Sequence, residues 1–452
     1  MFRQLLRLSK HSFIYGLGAV ASQIIGFLLL PLYTRYLTPA DYGILEIFSV
    51  TTTILAIIVG MGLISGLYRS FFDYEEQGRR AEVVSTALLF LGAACLCSCL
   101  LLIALASNFS LLLFNSTQYT FYFRVIFLTI FFNTTVAIPM AVFRVQQQSK
   151  RYVMFFLLRV LAGIGLNIYF IIVLKKGVLG ILGASLISAF LLWCILMPGL
   201  IKSIGFRFSK SELKKMLAFG LPLVPGNLAA WIMTVGDRFF LQFLSTPHEL
   251  GLYSLGYKFG IVVQALVVGP FTLAWSPFLF SMAKEKNAKE VYSSVLTYFS
   301  LVAVFVALGI SVLPKEVLLI MATPPFYGAY KVIPLIALSY VFSGCYWVLG
   351  AGLNLARKTK YVPLIVGVGA VVNLGLNYLL IPSYGMMGAA VATVISYLLL
   401  PIGSYFVSRR YYPIKYEWGR VAKIVVAAGL VYVGCLFIRN DSAIIAGLLK
   451  LL

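Results

Sequence analysis

Acidic side chains are nearly missing from this chain: 14 Asp and Glu among 452 residues, only four of them Asp, and no Asp-x-Asp pair. There are two histidines and no cluster spacing typical of a metal centre. This argues against a membrane enzyme that polymerises or transfers polyprenyl-linked sugars, because such chemistry needs accessible carboxylates or a metal. No cofactor is expected. The six cysteines carry little message: Cys95, Cys97 and Cys99 share one apolar run, where small packing residues are the expected reading. Long polar segments are also missing, so a soluble catalytic or nucleotide-binding domain has nowhere to fit. Charged residues make up only 11% of the chain, where a soluble chain carries roughly a quarter.

What is present is apolar and periodic. Hydrophobic residues account for 61% and mean hydropathy is +0.97. Apolar stretches long enough to cross a bilayer, roughly 20 residues each, recur from end to end. They run Phe13–Tyr33, Ile44–Tyr68, Val83–Ala106, Phe121–Phe143, Tyr152–Leu174 and Val178–Leu200. After a basic break follow Met216–Leu244, Leu252–Met282, Val291–Leu313, Val332–Leu355, Val362–Ile381, Met386–Val407 and Val421–Ile438. The first lies too deep and is too long for a cleavable signal peptide, and the tail AIIAGLLKLL is too short to count as a further span. The expected fold is an all-α polytopic membrane protein.

A net charge of +22 is placed rather than scattered. Arg and Lys crowd alternate connections, such as Arg79/Arg80, Lys214/Lys215 and Arg409/Arg410, while the intervening ones hold few; 107–120 has none. By the positive-inside rule this sets a cytoplasmic N-terminus and favours anionic lipid at that face. A nucleic-acid partner would want a basic face on a polar domain, which is absent.

The sequence also repeats. TPADYG at Thr38–Gly43 returns as TPHELG at Thr246–Gly251, 208 residues on. KRYV at 150–153 returns as TKYV at 359–362, and GILGAS at 180–185 as GMMGAA at 385–390, offsets of 209 and 205. Each match links one span to the sixth after it, so the halves are parallel repeats, an arrangement transporters use with a site between repeats. The expected division is an N-terminal six-helix bundle 1–204, a cytoplasmic linker 205–215, a second bundle 216–410, and an extra helix or hairpin 411–452. Gly16 and Gly18 in the first span and Gly220, Pro222 and Pro225 in the seventh mark candidate bends.

PLYTRYLTPADYGILEIF (31–48) and GDRFFLQFLSTPHELGLYSLGYKFG (236–260) resemble the bacterial polysaccharide flippases of the O-antigen type, within the multidrug/oligosaccharidyl-lipid/polysaccharide exporter superfamily. The resemblance implies two six-helix bundles forming a V around a central cavity. It also implies transfer of undecaprenyl-pyrophosphate-linked oligosaccharide from the cytoplasmic to the periplasmic leaflet of the bacterial inner membrane. Membrane lipid and the lipid-linked sugar would then be partners, with a polysaccharide polymerase and a chain-length regulator downstream. Two related activities compete. A cation-coupled drug exporter of the superfamily usually places an acidic residue in the first span, and 12–34 has none. A peptidoglycan lipid-precursor flippase shares the pyrophosphate logic but typically has fourteen spans.

A diphosphate crossing lipid calls for cations in a wet cavity, and ionisable residues inside spans are costly enough to be functional candidates. Arg159 lies roughly 12 Å in from Arg151, Lys258 roughly 10 Å in from Gly251, and Asp237 and Arg238 roughly 12–13 Å in from Thr246. Arg159 leads a stripe with Gly163 and Asn167; Gly369, Asn373 and Asn377 repeat it in the second half, where helix packing is the competing explanation. Substrate binding is therefore assigned to Arg159, Arg238, Lys258, Arg35, Asn167, Asn373 and Asn377, although Arg35 lies close enough to a span end for snorkelling to explain it. Asp237 and Glu46 are assigned gating or coupling, with an Asp237–Lys258 ion pair as one gate that the geometry allows and Glu46 as a coupling-proton carrier.

Overall fold

The structure, a computed structural model, describes residue 27 and residues 29–437. Most of the first span, with Gly16 and Gly18, and the tail beyond 437 lie outside the described residues. Among the described residues all regular structure is helical, and eleven helices are long and apolar enough to cross a membrane. Ten of them, from Pro39–Gly60 to Ile333–Leu355 and then Trp418–Cys435, each match one expected span. The remaining one, Tyr361–Tyr411, covers two spans, because the backbone breaks inside it at Gly385.

Packing divides the chain into two compact units: residues up to Leu32 with Ile47–Leu228, and Tyr33–Glu46 with Ala229–Leu452. The first is built on Gln77–Ala104, Thr120–Val145 and Gly177–Ile204. Their apolar faces meet in a core that includes Val83, Leu91, Ile138, Ala141 and Leu200. Cys95 and Cys99 are buried while Cys97 between them is exposed, as side chains two apart on a helix must diverge. Where the bend is expected in the seventh span the hydrogen bonding changes: the helix Lys210–Gly220 passes through a 3-10 turn, Leu221–Leu223, into Val224–Val235. Pro222 and Pro225 have no N–H to continue the α ladder.

The second unit packs Pro247–Gly260, Ala288–Val312, Ile333–Leu349 and Tyr361–Tyr411. Its last helix, Trp418–Leu436, is fastened by the residue before it: Glu417 accepts from Thr297 Oγ1 at 2.7 Å and from Arg420 at 2.8 Å. The Thr297 hydrogen bond, with Arg420 adding its charge, holds the Glu417 carboxyl below the usual range.

Both repeated turns belong to this unit, and they pack on each other. Each Thr-Pro starts a helix, Pro39–Gly60 and Pro247–Gly260, with Pro at the first position where its missing N–H costs nothing. A Cβ on Gly43 would run into the Pro247 carbonyl and sit 3.1 Å from Gly251 N. A Cβ on Gly251 would run into the Pro39 carbonyl and sit 3.1 Å from Gly43 N. Proline 39 corresponds to 247 and glycine 43 to 251 at the same 208-residue offset, so the crossing is self-complementary, the kind of contact a two-fold axis generates. The two acids of the turns behave differently. Asp41 turns back to its own helix start, accepting from Thr38 N at 3.0 Å and Thr38 Oγ1 at 2.7 Å. Glu249 instead accepts from Ser245 Oγ at 2.7 Å and from Met386 N at 3.0 Å, beside the break at Gly385.

Gly385 has φ 52° and ψ −131°, a region closed to residues with a Cβ, and a Cβ there would overlap the Glu249 carboxylate. Gly385→Ala is expected to lower stability by about 1–3 kcal/mol from the backbone alone. Gly375→Ala, in the same helix with nothing within 4 Å, should be neutral or stabilising. Melting in detergent checks both, and equal melting of the two variants would refute the assignment.

Candidate functional site

The deepest charges of the second unit gather in one region around a buried ion pair. Asp237 and Arg238 open the helix Asp237–Leu244 and are 2% and 3% exposed. Arg238 Nη1 donates to Asp237 Oδ1 at 2.6 Å and to the Thr234 carbonyl at 2.8 Å, and its Nε lies 3.5 Å from Glu46 Oε1. The guanidinium also lies over the rings of Tyr257, at 4.0 Å, and Tyr253, at 5.3 Å. Asp237 Oδ2 accepts from the Tyr253 hydroxyl and, at 3.4 Å, from Thr393 Oγ1. Tyr340 extends the network by donating to the Tyr257 hydroxyl at 3.2 Å.

The Asp237–Lys258 pair does not form. Tyr253 is the residue of that helix that reaches Asp237, and Lys258, five residues later, is rotated roughly 140° around the axis. Its ammonium stands half-buried over the Tyr42 ring, 5.0 Å from the centroid, with no carboxylate in salt-bridge range among the described residues. Two cations and two carboxylates therefore share this region. Arg238 in particular is 3% exposed and enclosed by protein groups in this conformation.

The asparagine pair of the second half is also interior. Asn373 and Asn377 are 1% and 0% exposed, and Asn377 Nδ2 donates to Asn373 Oδ1 at 2.9 Å. Arg35 ends the short helix Leu30–Tyr36 and is exposed.

Arg159 lies in the other unit, in the middle of Ser149–Ile168, half-buried. At 100° per residue, Met154, Leu157, Leu158, Leu161 and Ile168 form one exposed apolar arc. Tyr152, Phe156, Arg159, Gly163 and Asn167 form another, roughly opposite and half-buried throughout. Asn167 Nδ2 donates to the Gly163 carbonyl at 2.8 Å, and its Oδ1 is buried without a hydrogen-bond partner. Arg159 has neither carboxylate nor aromatic partner among the described residues. Below it the helix winds into a π segment, Tyr169–Val173.

The sequence reading missed Tyr42, Tyr253, Tyr257 and Thr393 as members of the cluster. The four-residue spacing of Tyr253 and Tyr257 was the available sign, since it sets both rings on one helix face.

This fold is that of multi-span membrane transporters. The chain is similar, over 97% of both chains with a TM-score of 0.78 and 14% identity, to the lipid II flippase MurJ in its inward closed conformation. It is similar, with a TM-score of 0.67 and 15% identity over 89% of this chain and 95% of the other, to an inward-facing multidrug resistance MATE family transporter of the MOP superfamily. Residues 8–283 match the family model described as polysaccharide biosynthesis protein, and the chain belongs to that family. Among curated proteins it is 24% identical over 368 residues to "Lsg locus putative protein 1" of Haemophilus influenzae, covering 79% of this chain and 87% of that one. A second Haemophilus influenzae relative, an uncharacterized membrane protein, is 23% identical over 367 residues, covering 79% and 86%. These agree with the polysaccharide flippase resemblance read from the residues.

Proposed function

We propose that the chain flips an undecaprenyl-pyrophosphate-linked oligosaccharide from the cytoplasmic to the periplasmic leaflet of the inner membrane, by alternating access. The observation that carries this reading is Arg159: a cation in mid-span, off the apolar arc, which no carboxylate neutralises among the described residues. A lone charge at that depth is costly, and a passing diphosphate supplies the missing partner. Asn167, one further turn beyond Gly163, adds an unspent polar atom on the same face. Lys258 and the exposed Arg35 are the remaining proposed phosphate contacts. Asp237, Arg238 and Glu46 act as a latch that gates, and the wholly interior Asn373 and Asn377 enter only when the second unit rearranges. The repeat halves 1–204 and 216–410 are the moving parts, the N-terminus is cytoplasmic, and a polymerase and chain-length regulator take the product.

The likeness to MurJ supports a second reading, a lipid-linked peptidoglycan precursor as cargo. Both carry a diphosphate, so Arg159 serves either. Deletion in the native host separates them by which lipid-linked sugar accumulates inside. Arg159→Gln is expected to remove a charge-assisted contact worth about 1.5–3 kcal/mol and so reduce export roughly 10- to 100-fold at an unchanged membrane level. Export at the wild-type rate in that variant would sink the role given to Arg159.

A further inference from the structure

The polar stripe of Ser149–Ile168 does not start at Arg159. Two turns earlier, Tyr152 meets side chains from two other helices, Arg144 at the end of Thr120–Val145 and Tyr68 in Leu63–Phe72. Arg144 Nη2 donates to the Tyr152 hydroxyl, Nη1 lies 3.5 Å from the Tyr68 hydroxyl, and the guanidinium sits 4.6 Å from the Tyr152 ring centroid. Arg144 is exposed, and no carboxylate pairs with it among the described residues.

The donor arithmetic of this cluster is one-sided. A guanidinium offers five N–H groups and accepts nothing. Two of those bonds go to tyrosine oxygens, which leaves the other guanidinium N–H groups of the exposed Arg144 for a ligand. An arginine that merely snorkels to water needs no such frame. Three helices instead hold a planar cation against two tyrosines with guanidinium N–H groups to spare, the chemistry that recognises a phosphate.

The cluster is also continuous with the deeper cation. The Tyr152 ring stacks on Phe156, 6.5 Å between centroids and 8° between planes, and Phe156 stands three residues before Arg159. At 1.5 Å per residue, Arg159 lies about 10 Å along the axis from Tyr152.

We propose that Arg144, framed by Tyr68 and Tyr152, is a phosphate-loading station at the cytoplasmic end of the stripe, from which the lipid-linked diphosphate passes to Arg159. This rests on the flippase reading and names where its cargo is first held.

Farnesyl diphosphate, a short soluble mimic, is the probe, measured by equilibrium binding to the purified full chain in detergent. Arg144→Gln should weaken binding about 10-fold or more, a loss of about 1.4 kcal/mol per tenfold, with melting temperature unchanged. Arg144→Lys should recover only part, because an ammonium lacks the fork. The double variant Tyr68→Phe/Tyr152→Phe should weaken binding several-fold, and it carries the test if Arg144→Gln fails to fold. Arg79→Gln, which removes only a surface ion pair with Glu82, is the control. Unaltered farnesyl diphosphate affinity in Arg144→Gln and in the double tyrosine variant overturns the station. So does a loss confined to phosphatidylglycerol, seen as reduced lipid retention in native mass spectrometry, since the site would then serve bulk headgroups. If Arg159→Gln weakens the probe and Arg144→Gln does not, the flippase reading stands and the station falls. If deletion in the host accumulates no lipid-linked sugar, the flippase reading itself falls.

Discussion

Arg238→Gln is expected to lower the stability of the folded protein by about 3–5 kcal/mol, the cost of removing one partner from a buried ion pair. The reason lies in what stays behind. Asp237 is 2% exposed and, among the described residues, keeps the Tyr253 and Thr393 hydroxyls, and Glu46 loses the cation it pairs with. Membrane abundance should fall with the melting temperature. Asp237→Asn/Arg238→Gln should recover a large part of the loss, because replacing both partners leaves no uncompensated charge. A phosphate ligand would show the opposite pattern: normal abundance, export lost, and no rescue by the second substitution. If Arg238→Gln accumulates and melts like the wild type while export stops, the latch assignment is wrong.

Gly251→Ala is expected to be damaging as well, by a smaller margin. The added methyl would occupy the Pro39 carbonyl, and backbone on both sides leaves no flexible side chain to yield. Overpacking of this kind costs about 1–3 kcal/mol. The self-complementary geometry adds a sharper expectation. Gly43→Ala should cost about the same, within roughly 0.5 kcal/mol, and the double variant should cost clearly less than the sum, because contacting sites are not additive. The first methyl already forces the two helices apart, and the second then finds room. Gly226→Ala and Gly367→Ala, with nothing within 4 Å of the added carbon, serve as controls. Strict additivity in the double variant would show that the two turns do not press on each other.

Much of the fold was legible in the sequence because bilayer thickness sets helix length and leaves little choice of structure. The repeated TP turns were legible as a duplication, although the helices start at Pro39 and Pro247, ahead of the expected spans from Ile44 and Leu252. That they cross each other was not, since hydropathy carries no information on which helix ends meet. The site was legible in part. Depth from the nearest loop singled out Asp237, Arg238, Lys258 and Arg159 as the deepest charges in the chain. Depth alone could not say which way each side chain points, so Lys258 was offered to Asp237, although Arg238 and Tyr253 occupy that carboxylate. Arg144 was left outside the site because snorkelling explains a cation so near a span end, and only the folded chain reveals two tyrosines there.

Doubling a turn that fits against itself has a consequence for what each copy is free to become. A half-length chain bearing it would present the same surface to a second molecule of its own kind, and any change would strike both sides at once. Fusion into one polypeptide lifts that restriction, and the acids show the resulting division of labour. Asp41 still guards its own helix start, whereas Glu249 has been released to fasten the connection at Met386, 137 residues away.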